Sequence, residues 1–187
     1  MTETTTTTLP AGLTAGTYTI DPAHTVVGFV ARHAMVTKVR GHFTDVEGTL
    51  VFGDDVASSS AQATIMVGSV STGAPDRDAH LRSADFFDAD LYPTISFRST
   101  GVRANGGEYL LDGELTIKDV TKPITLKVEF GGVATDPFGN VRAGFEAETE
   151  VEREQFGLTW NAALETGGVL VSKKVKLTLD ISAIKQA

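Results

Sequence analysis

The chain has no cysteine, few basic residues and no long apolar run, and each shortage excludes a class of protein. Without cysteine there are no disulfides, thiolate nucleophiles or cysteine-ligated metals. Lys and Arg number 16 against 24 Asp and Glu, which gives a formal net charge of -8. Nucleic-acid binding takes its affinity from basic side chains that neutralise phosphates, so we do not expect a nucleic-acid partner. No stretch approaches the roughly twenty apolar residues of a membrane-spanning helix, so we expect no stable membrane insertion.

The N-terminal residues differ in composition from the rest of the chain. Residues 1–14 include five successive threonines and hardly any large apolar side chain. Burial of such a segment does not offset the entropy lost on ordering it. We therefore predict a disordered Thr-rich tail over residues 1–14 and a single domain over residues 15–187. The N-terminus has neither the basic start nor the apolar run of a secretory signal, so we expect a cytoplasmic protein.

From Thr17 onward the dominant pattern is alternation with a period of two, which is typical of half-buried strands. Apolar or small residues at odd positions from 145 to 151 alternate with glutamates at even positions from 146 to 152. Residues 169–181 place Val, Leu and Ile at most odd positions and lysines at two even ones, which predicts a long final strand. If the two strands pair, the lysines lie across from the glutamates and relieve their repulsion.

Two further segments have distinctive patterns. In residues 40–52 the apolar parity slips between Phe43 and Val46, which suggests a β-bulge. Residues 76–93 lack alternation, follow Pro75 and end at Pro93. This segment predicts one short helix over about residues 78–87.

The strands together indicate an all-β protein. About eight antiparallel strands joined mostly by short loops form either a sandwich or a closed up-and-down barrel, and strand number alone does not decide between them. Closure removes exposed strand edges, and a barrel of this size leaves room for one small ligand.

Three segments resemble the YceI family, which is described as polyisoprenoid-binding and lipocalin-like. Residues 18–43 read YTIDPAHTVVGFVARHAMVTKVRGHF, residues 76–99 read DRDAHLRSADFFDADLYPTISFRS, and residues 113–130 read GELTIKDVTKPITLKVEF. The resemblance implies an extended lipocalin-like, antiparallel up-and-down β-barrel of about eight strands with one short helix. It also implies a hydrophobic interior that holds an isoprenoid chain or another long amphiphile, with no metal or redox cofactor.

Our leading hypothesis is the non-catalytic binding or carriage of a long-chain polyisoprenoid or a similar amphiphile, such as a quinone, a prenyl phosphate or a fatty-acid derivative. His33 and His80 are the candidate polar contacts near the cavity mouth, and Arg40 is a candidate contact for an anionic head group. The alternative for the apolar set is that it simply fills the barrel as core. The candidate wall of the cavity is Phe29, Phe43, Phe97, Leu115, Ile117, Phe130, Phe145 and Trp160.

Catalytic and metal-binding patterns are weak. The four histidines have no metal-ligand spacing, so structural histidines are the simpler interpretation and we expect no metal. There is no nucleophile elbow, phosphate-binding glycine loop or dinucleotide fingerprint, so we do not expect an enzyme. Two alternatives stay open: a hydrolase or isomerase acting on a lipid-like substrate with His33 or His80 as general base, and an interaction domain without a ligand, as a homodimer.

Overall fold

The computed structural model describes residues 7–165 and 167–187. Short 3-10 helices occupy Pro22–His24, Val67–Ser69 and Arg153–Phe156. The strands and the α-helix are β1 (Gly16–Ile20), β2 (Val26–His33), β3 (Thr37–Phe43), β4 (Val46–Phe52), β5 (Ser60–Met66), β6 (Val70–Ser71), α1 (Pro75–Arg82), β7 (Thr94–Asn105), β8 (Glu108–Ile117), β9 (Val120–Thr135), β10 (Val141–Glu152) and β11 (Lys174–Lys185).

Eight of these strands form a closed antiparallel barrel in the order β1-β4-β5-β7-β8-β9-β10-β11. The ring closes because β1 pairs with β11, with Tyr18 opposite Lys185 and Ile20 opposite Ala183. The prediction of a closed eight-stranded barrel with one short helix is thus confirmed. Closure leaves no unpaired edge in this ring.

The sheet extends beyond the closed ring at the end where α1 lies, which we call the helix end. Beyond the 3-10 helix at Pro22–His24, β2 continues along β11, and β3 pairs with β2. The predicted bulge at residues 43–46 is wrong. Phe43 ends β3 and Val46 begins β4, and these strands pair with β2 and β1 respectively. Between them the backbone turns out of the ladder, and the carbonyl of Asp45 accepts a hydrogen bond from the amide of Met66 at 2.9 Å.

The glutamate strand pairs with the lysine strand, which is the condition under which the lysines were expected to relieve the repulsion of the glutamates. The glutamates of β10 at positions 146 to 152 are exposed, and the odd positions from 145 to 151 are partly covered. Glu150 lies opposite Lys176 and Glu152 opposite Lys174. The ion pairs form diagonally, with Lys176 at 3.2 Å from Glu148 and Lys174 at 3.7 Å from Glu150. These exposed pairs relieve repulsion along β10 and add little stability individually.

Two predicted boundaries are wrong. The final strand begins at Lys174, because the segment before it bonds to a loop: Asn161 accepts from the Val171 amide at 3.0 Å and donates to its carbonyl at 2.7 Å. The helix spans Pro75–Arg82 rather than residues 78–87. Proline suits the first helical position because no intrahelical partner is needed there. After Arg82 the chain continues in turns.

Two hydrophobic clusters fill the two ends of the barrel. The cluster at the other end from α1 centres on the buried residues Leu13, Tyr18, Ala143 and Ala183. The larger cluster, which we call the helix-end cluster, comprises the buried residues Val27, Phe43, Val46, Ile65, Val67, Val70, Phe86, Ile95, Leu115, Ile117, Phe156 and Leu158. Together they leave an unfilled space in the middle of the barrel.

Candidate functional site

An apolar cavity of about 150 Å³ lies inside the barrel between the two clusters. Inward positions on neighbouring strands alternate with outward ones, so most of the wall comes from every second residue of a strand. Three of the lining residues are alanines, Ala61, Ala63 and Ala147, whose small side chains leave the space open. The other apolar residues of the barrel wall are Ile20, Leu50, Phe52, Phe97, Val102, Leu111, Leu126, Val128, Phe145, Leu179 and Ile181.

The floor of the cavity is formed by Phe97 and Leu179, which line it and also pack against the helix-end cluster. The ring of Phe97 lies directly over Gly113, so that a side-chain carbon at that position would meet the ring. Glycine at position 113 therefore lets the ring lie flat on the sheet and leaves the space above it free.

The opposite side of the cavity is closed by the covering segment (residues 7–14). Leu9, Pro10 and Leu13 line the cavity, and Leu13 is only 7% exposed. At one end of the segment the carbonyl of Thr7 accepts from the Val56 amide at 2.9 Å. At the other end the hydroxyl of the fully buried Tyr18 donates to the carbonyl of Thr14 at 2.9 Å.

The covering segment falls within the predicted Thr-rich tail. Residues 1–6 of that tail lie outside the described residues, so disorder there stays a prediction. Residues 7–14 differ from the expected tail, because they pack against the barrel. The physical reason is that Leu9, Pro10 and Leu13 meet an apolar opening that their own local sequence does not reveal.

The chemistry of the cavity is that of an apolar ligand site. Among the residues that the structure describes, the polar lining consists of Ser59, Ser60, Gln62 and Tyr109, and none of the lining residues is charged. An apolar cavity of roughly this size stays free of water and accepts small hydrocarbons. Pockets for drug-sized ligands run from about 300 to 1,000 Å³, so a longer chain requires part of the lining to move.

The predicted wall residues are divided between the cavity and the packed ends. Phe97 and Phe145 line the cavity, and Phe130 packs against Phe145 with ring centroids 5.5 Å apart. The remaining five, which belong to or pack against the helix-end cluster, are Phe29, Phe43, Leu115, Ile117 and Trp160. Their contact with a ligand stays a prediction.

His80 contacts a predicted wall residue but does not line the cavity. Its ring packs edge-on against Trp160 at 4.7 Å and against Phe86 at 5.0 Å. Its Nε2 lies 2.9 Å from a carboxylate oxygen of Asp85. The contacts of His80 with Trp160 and Phe86 join α1 to the loop after β10 and cover the helix end.

His33 and Arg40 lie on the hairpin formed by β2 and β3, and both are exposed. His33 also forms an isolated bridge with Val171. The structure therefore does not bring together the three predicted polar contacts His33, Arg40 and His80 at the cavity.

A buried arginine holds the loop that closes the helix end. Arg153 is 6% exposed and has no carboxylate within 4.0 Å among the described residues. Its guanidinium donates instead to four backbone carbonyls, those of Leu158 at 2.7 Å, Ser172 at 2.8 Å, Trp160 at 2.9 Å and Val171 at 3.2 Å. Burial lowers the pKa of Arg153. The ring of carbonyls compensates the buried charge and ties the loop to this end of the barrel.

Arg142 forms a second charged network on the outside of the barrel. It donates to Asp21 and to Asp136, each at 2.8 Å. The hydrogen bond from Arg142, supported by the one from His24, lowers the pKa of Asp21 from its usual 3.8 to about 2. The same guanidinium holds the pKa of Asp136 well below its usual range. The network ties β10 to the break between β1 and β2.

The residues missed by the sequence analysis are mainly those of the covering segment and its neighbours. Leu9, Pro10 and Leu13 are apolar residues within a Thr-rich stretch. This contrast with their neighbours is the feature of the sequence that could have indicated their role. Leu126 and Leu179 had the inward parity of their strands but were not chosen among the candidates.

No group of three or more His, Asp or Glu side chains that fits a metal ion occurs within residues 7–165 and 167–187. In the same part of the chain, none of the helices has the length and apolar character needed to cross a bilayer.

Comparisons with known proteins agree with the barrel. The YceI-like domain model matches residues 18–183. Protein YceI of Shigella flexneri is 37% identical over 175 residues, which cover 92% of this chain and 88% of the relative. Among solved structures, BcnA of Burkholderia cenocepacia matches with a TM-score of 0.76 and 25% identity, over 87% of this chain and 98% of that one.

A further solved structure shares the fold at lower sequence identity. It is a polyisoprenoid binding domain from Saccharophagus degradans, described as implicated in plant cell wall breakdown. It matches with a TM-score of 0.68 and 17% identity, over 92% of this chain and 100% of that one. The family match over most of the chain, the level of identity to a YceI protein and the shared barrel lead to one conclusion: the chain belongs to the YceI-like domain family.

Proposed function

We propose that this chain binds the apolar part of a polyisoprenoid or a similar long amphiphile in its barrel and does so without catalysis. The observation that carries the proposal is the apolar cavity between the two clusters. The description of the Saccharophagus degradans neighbour as a polyisoprenoid binding domain supports the choice of ligand class. Each CH₂ group moved from water into such a space contributes about 0.8 kcal/mol.

The route of the ligand follows from what fills each end. At the helix end the interior is occupied by packed side chains and closed by the loop that Arg153 holds. At the other end the packed cluster includes Leu13 of the covering segment, and this segment contributes no strand to the barrel ring. We infer that the tail enters where the covering segment lies, and that the tail occupies space now taken by Leu9, Pro10 and Leu13.

The enzyme alternative has little geometric support. Neither His33 nor His80 lines the cavity, so neither lies where an apolar substrate would be held. A general base needs to reach the reacting proton directly or through one water molecule. The alternative of an interaction domain without a ligand requires an interior filled by the protein, whereas the middle of this barrel is open.

The test fills the cavity and measures ligand retention. Ala147→Phe places a ring in the open space, and Ala134→Phe adds the same ring at an exposed position of β9 as the matched control. Native mass spectrometry of gently purified protein should show a lipid-sized adduct in the parent and in the control but not in the filled variant. Circular dichroism confirms that each variant is folded, and Ala63→Leu serves as a milder filling if Ala147→Phe unfolds.

The outcomes are distinct. An adduct that survives in both filled, folded variants contradicts binding in this cavity. Absence of any adduct in the parent, together with no uptake of added polyprenol or fatty acid, contradicts the proposed function itself.

A further inference from the structure

The β2–β3 hairpin is the basic part of an acidic protein. Residues 22–44 contain no Asp or Glu but include Arg32, Lys38 and Arg40, while the whole chain carries a formal charge of -8. The hairpin extends past the closed ring of the barrel and pairs with β11 on one side and with the short β6 on the other.

The three cations share one face. Arg32 lies opposite Lys38, and Arg40 lies opposite Val30, which in turn lies opposite Lys176 of β11. Because side chains alternate along strands, Arg32, Lys38 and Arg40 all point to the outside of the sheet. All three are exposed. Among the described residues, none of the three side chains has a carboxylate within 4.0 Å or donates a hydrogen bond, whereas Lys176 is paired with Glu148.

The tip of the hairpin is apolar and exposed. Met35 is 59% exposed and Val36 is 75% exposed. Ala34 and Met35 have φ angles of 51° and 61°, and the Val36 amide donates to the His33 carbonyl at 3.0 Å. His33 pairs with Thr37, so the loop has three residues, and the two positive angles place Ala34 and Met35 in the left-handed region that favours Gly or Asn. The turn instead carries Ala-Met at a local conformational cost, and the methionine projects into solvent.

The spacing of tip and cations fits a lipid surface. At about 3.3 Å per residue, the Arg32–Lys38 pair lies roughly 10 Å behind the tip. This is close to the depth to which apolar groups enter the boundary between head groups and acyl chains, and it is near the screening length of about 8 to 10 Å at physiological salt. Met35 and Val36 would then enter the apolar layer while the cations meet lipid phosphates.

Charge segregation sets the orientation. Glu150, which lines the same outer groove as the three cations, is paired with Lys174, and Glu148 beside it is paired with Lys176. Glu108 and Glu129 form a separate acidic pair on β8 and β9, which do not pair with the hairpin, and the hydrogen bond and repulsion from Glu108 raise the pKa of Glu129. A chain with this asymmetry turns its basic hairpin toward a negative surface even though its net charge is negative.

We propose that the β2–β3 hairpin docks on anionic lipid bilayers, with Met35 and Val36 in the interface and Arg32, Lys38 and Arg40 on lipid phosphates. Docking goes beyond ligand binding and does not depend on it. A chain with an empty cavity has the same hairpin.

The first test is co-sedimentation with vesicles of phosphatidylglycerol and phosphatidylcholine at about 50 mM and 200 mM salt. We expect binding that requires phosphatidylglycerol and weakens at the higher salt. The variant Arg32→Gln/Lys38→Gln/Arg40→Gln should bind about a hundredfold more weakly, because each basic residue near such a surface contributes about 1 kcal/mol. The control Arg98→Gln/Lys122→Gln/Lys127→Gln makes the same charge change at exposed positions on β7 and β9 and should bind within about threefold of the parent.

The second test uses the absence of cysteine in the chain. Val36→Cys, labelled with an environment-sensitive dye, should show a blue shift on phosphatidylglycerol vesicles. Phe138→Cys, at an 88% exposed position in the β9–β10 turn, should show none. Binding only to an acidic protein, equal binding by the two triple variants, or vesicle binding without a shift at position 36 would each overturn the proposal. The hairpin variants should keep the lipid-sized adduct, so failure of docking is distinguishable from failure of ligand binding.

Discussion

Removal of the covering segment is the sharpest test of how the cavity opens. A chain that begins at Thr14 retains all the strands, since β1 starts at Gly16, but lacks Leu9, Pro10 and Leu13. If these residues close the entrance, an apolar probe should enter the shortened chain faster than the full chain. The expected size of the effect follows from how firmly the segment is held.

For the covering segment, the free energy gained from burial and hydrogen bonds is only slightly larger than the conformational entropy cost of ordering it. Burial of Leu13 and partial burial of Leu9 and Pro10 contribute about 5 kcal/mol, and about five hydrogen bonds add roughly 1 kcal/mol each. Ordering residues 7–14 costs roughly 8 kcal/mol at about 1 kcal/mol per residue. The difference of about 2 kcal/mol corresponds to a segment that is detached about 3% of the time, so removal should raise the association rate about thirtyfold.

The assay is stopped-flow binding of N-phenyl-1-naphthylamine, whose fluorescence rises in apolar surroundings. A chain that lacks only residues 1–6 is the matched control and should bind at the parent rate. An unchanged rate in a folded chain that begins at Thr14 would refute the reasoning, because the probe would then be entering elsewhere. The cost to stability should be modest, since Tyr18 loses its Thr14 neighbours only if the new terminus frays.

Three further predictions concern residues around the site. Arg153→Met should lower the free energy of unfolding by about 2 to 4 kcal/mol in urea titrations, because it leaves buried carbonyls without a donor. Arg153→Lys should recover part of the loss. Equal stability of Arg153→Met and the parent would contradict this. Since the pKa of Asp21 is lowered to about 2, its ionised form stabilises the fold above pH 4 and this contribution is lost as pH falls toward 2. Asp21→Asn should therefore flatten the decline of the denaturation midpoint between pH 4 and pH 2, and the exposed control Asp54→Asn should follow the parent curve. Gly113→Ala should push the Phe97 ring into the cavity and weaken probe binding, which equilibrium titration would detect; unchanged affinity and stability would show that the ring has room to shift.

The strand pattern shows how far local sequence reaches. The alternation at residues 145–152 predicted the inward face of β10, because side-chain direction in a strand depends only on parity, and the ion pairs with the lysines of β11 were expected only if the two strands paired, as they do. Patterns that depend on partners were less predictive. The change of apolar parity at residues 43–46 indicated a β-bulge. It instead marks the point where β3, which pairs with β2, ends and β4, which pairs with β1, begins.

The site was predicted only in part for a similar reason. Phe97 and Phe145 line the cavity, whereas Phe43 and Leu115 have the same inward parity and are packed in the helix-end cluster. Parity says that a residue faces inward but not whether its neighbours on other strands leave space. Ligand identity, a cytoplasmic location and a homodimer stay predictions of the sequence.

The amino-acid sequence by itself determined the strands and their apolar inner faces, because these depend on patterns within single strands, and its short motifs indicated the family and through it the barrel. Only the tertiary structure decided where that face encloses open space and what closes it. The cavity depends on the summed volumes of side chains from strands far apart in sequence, such as Ala63 and Ala147. The covering segment is held by an apolar opening that exists only once the barrel has closed.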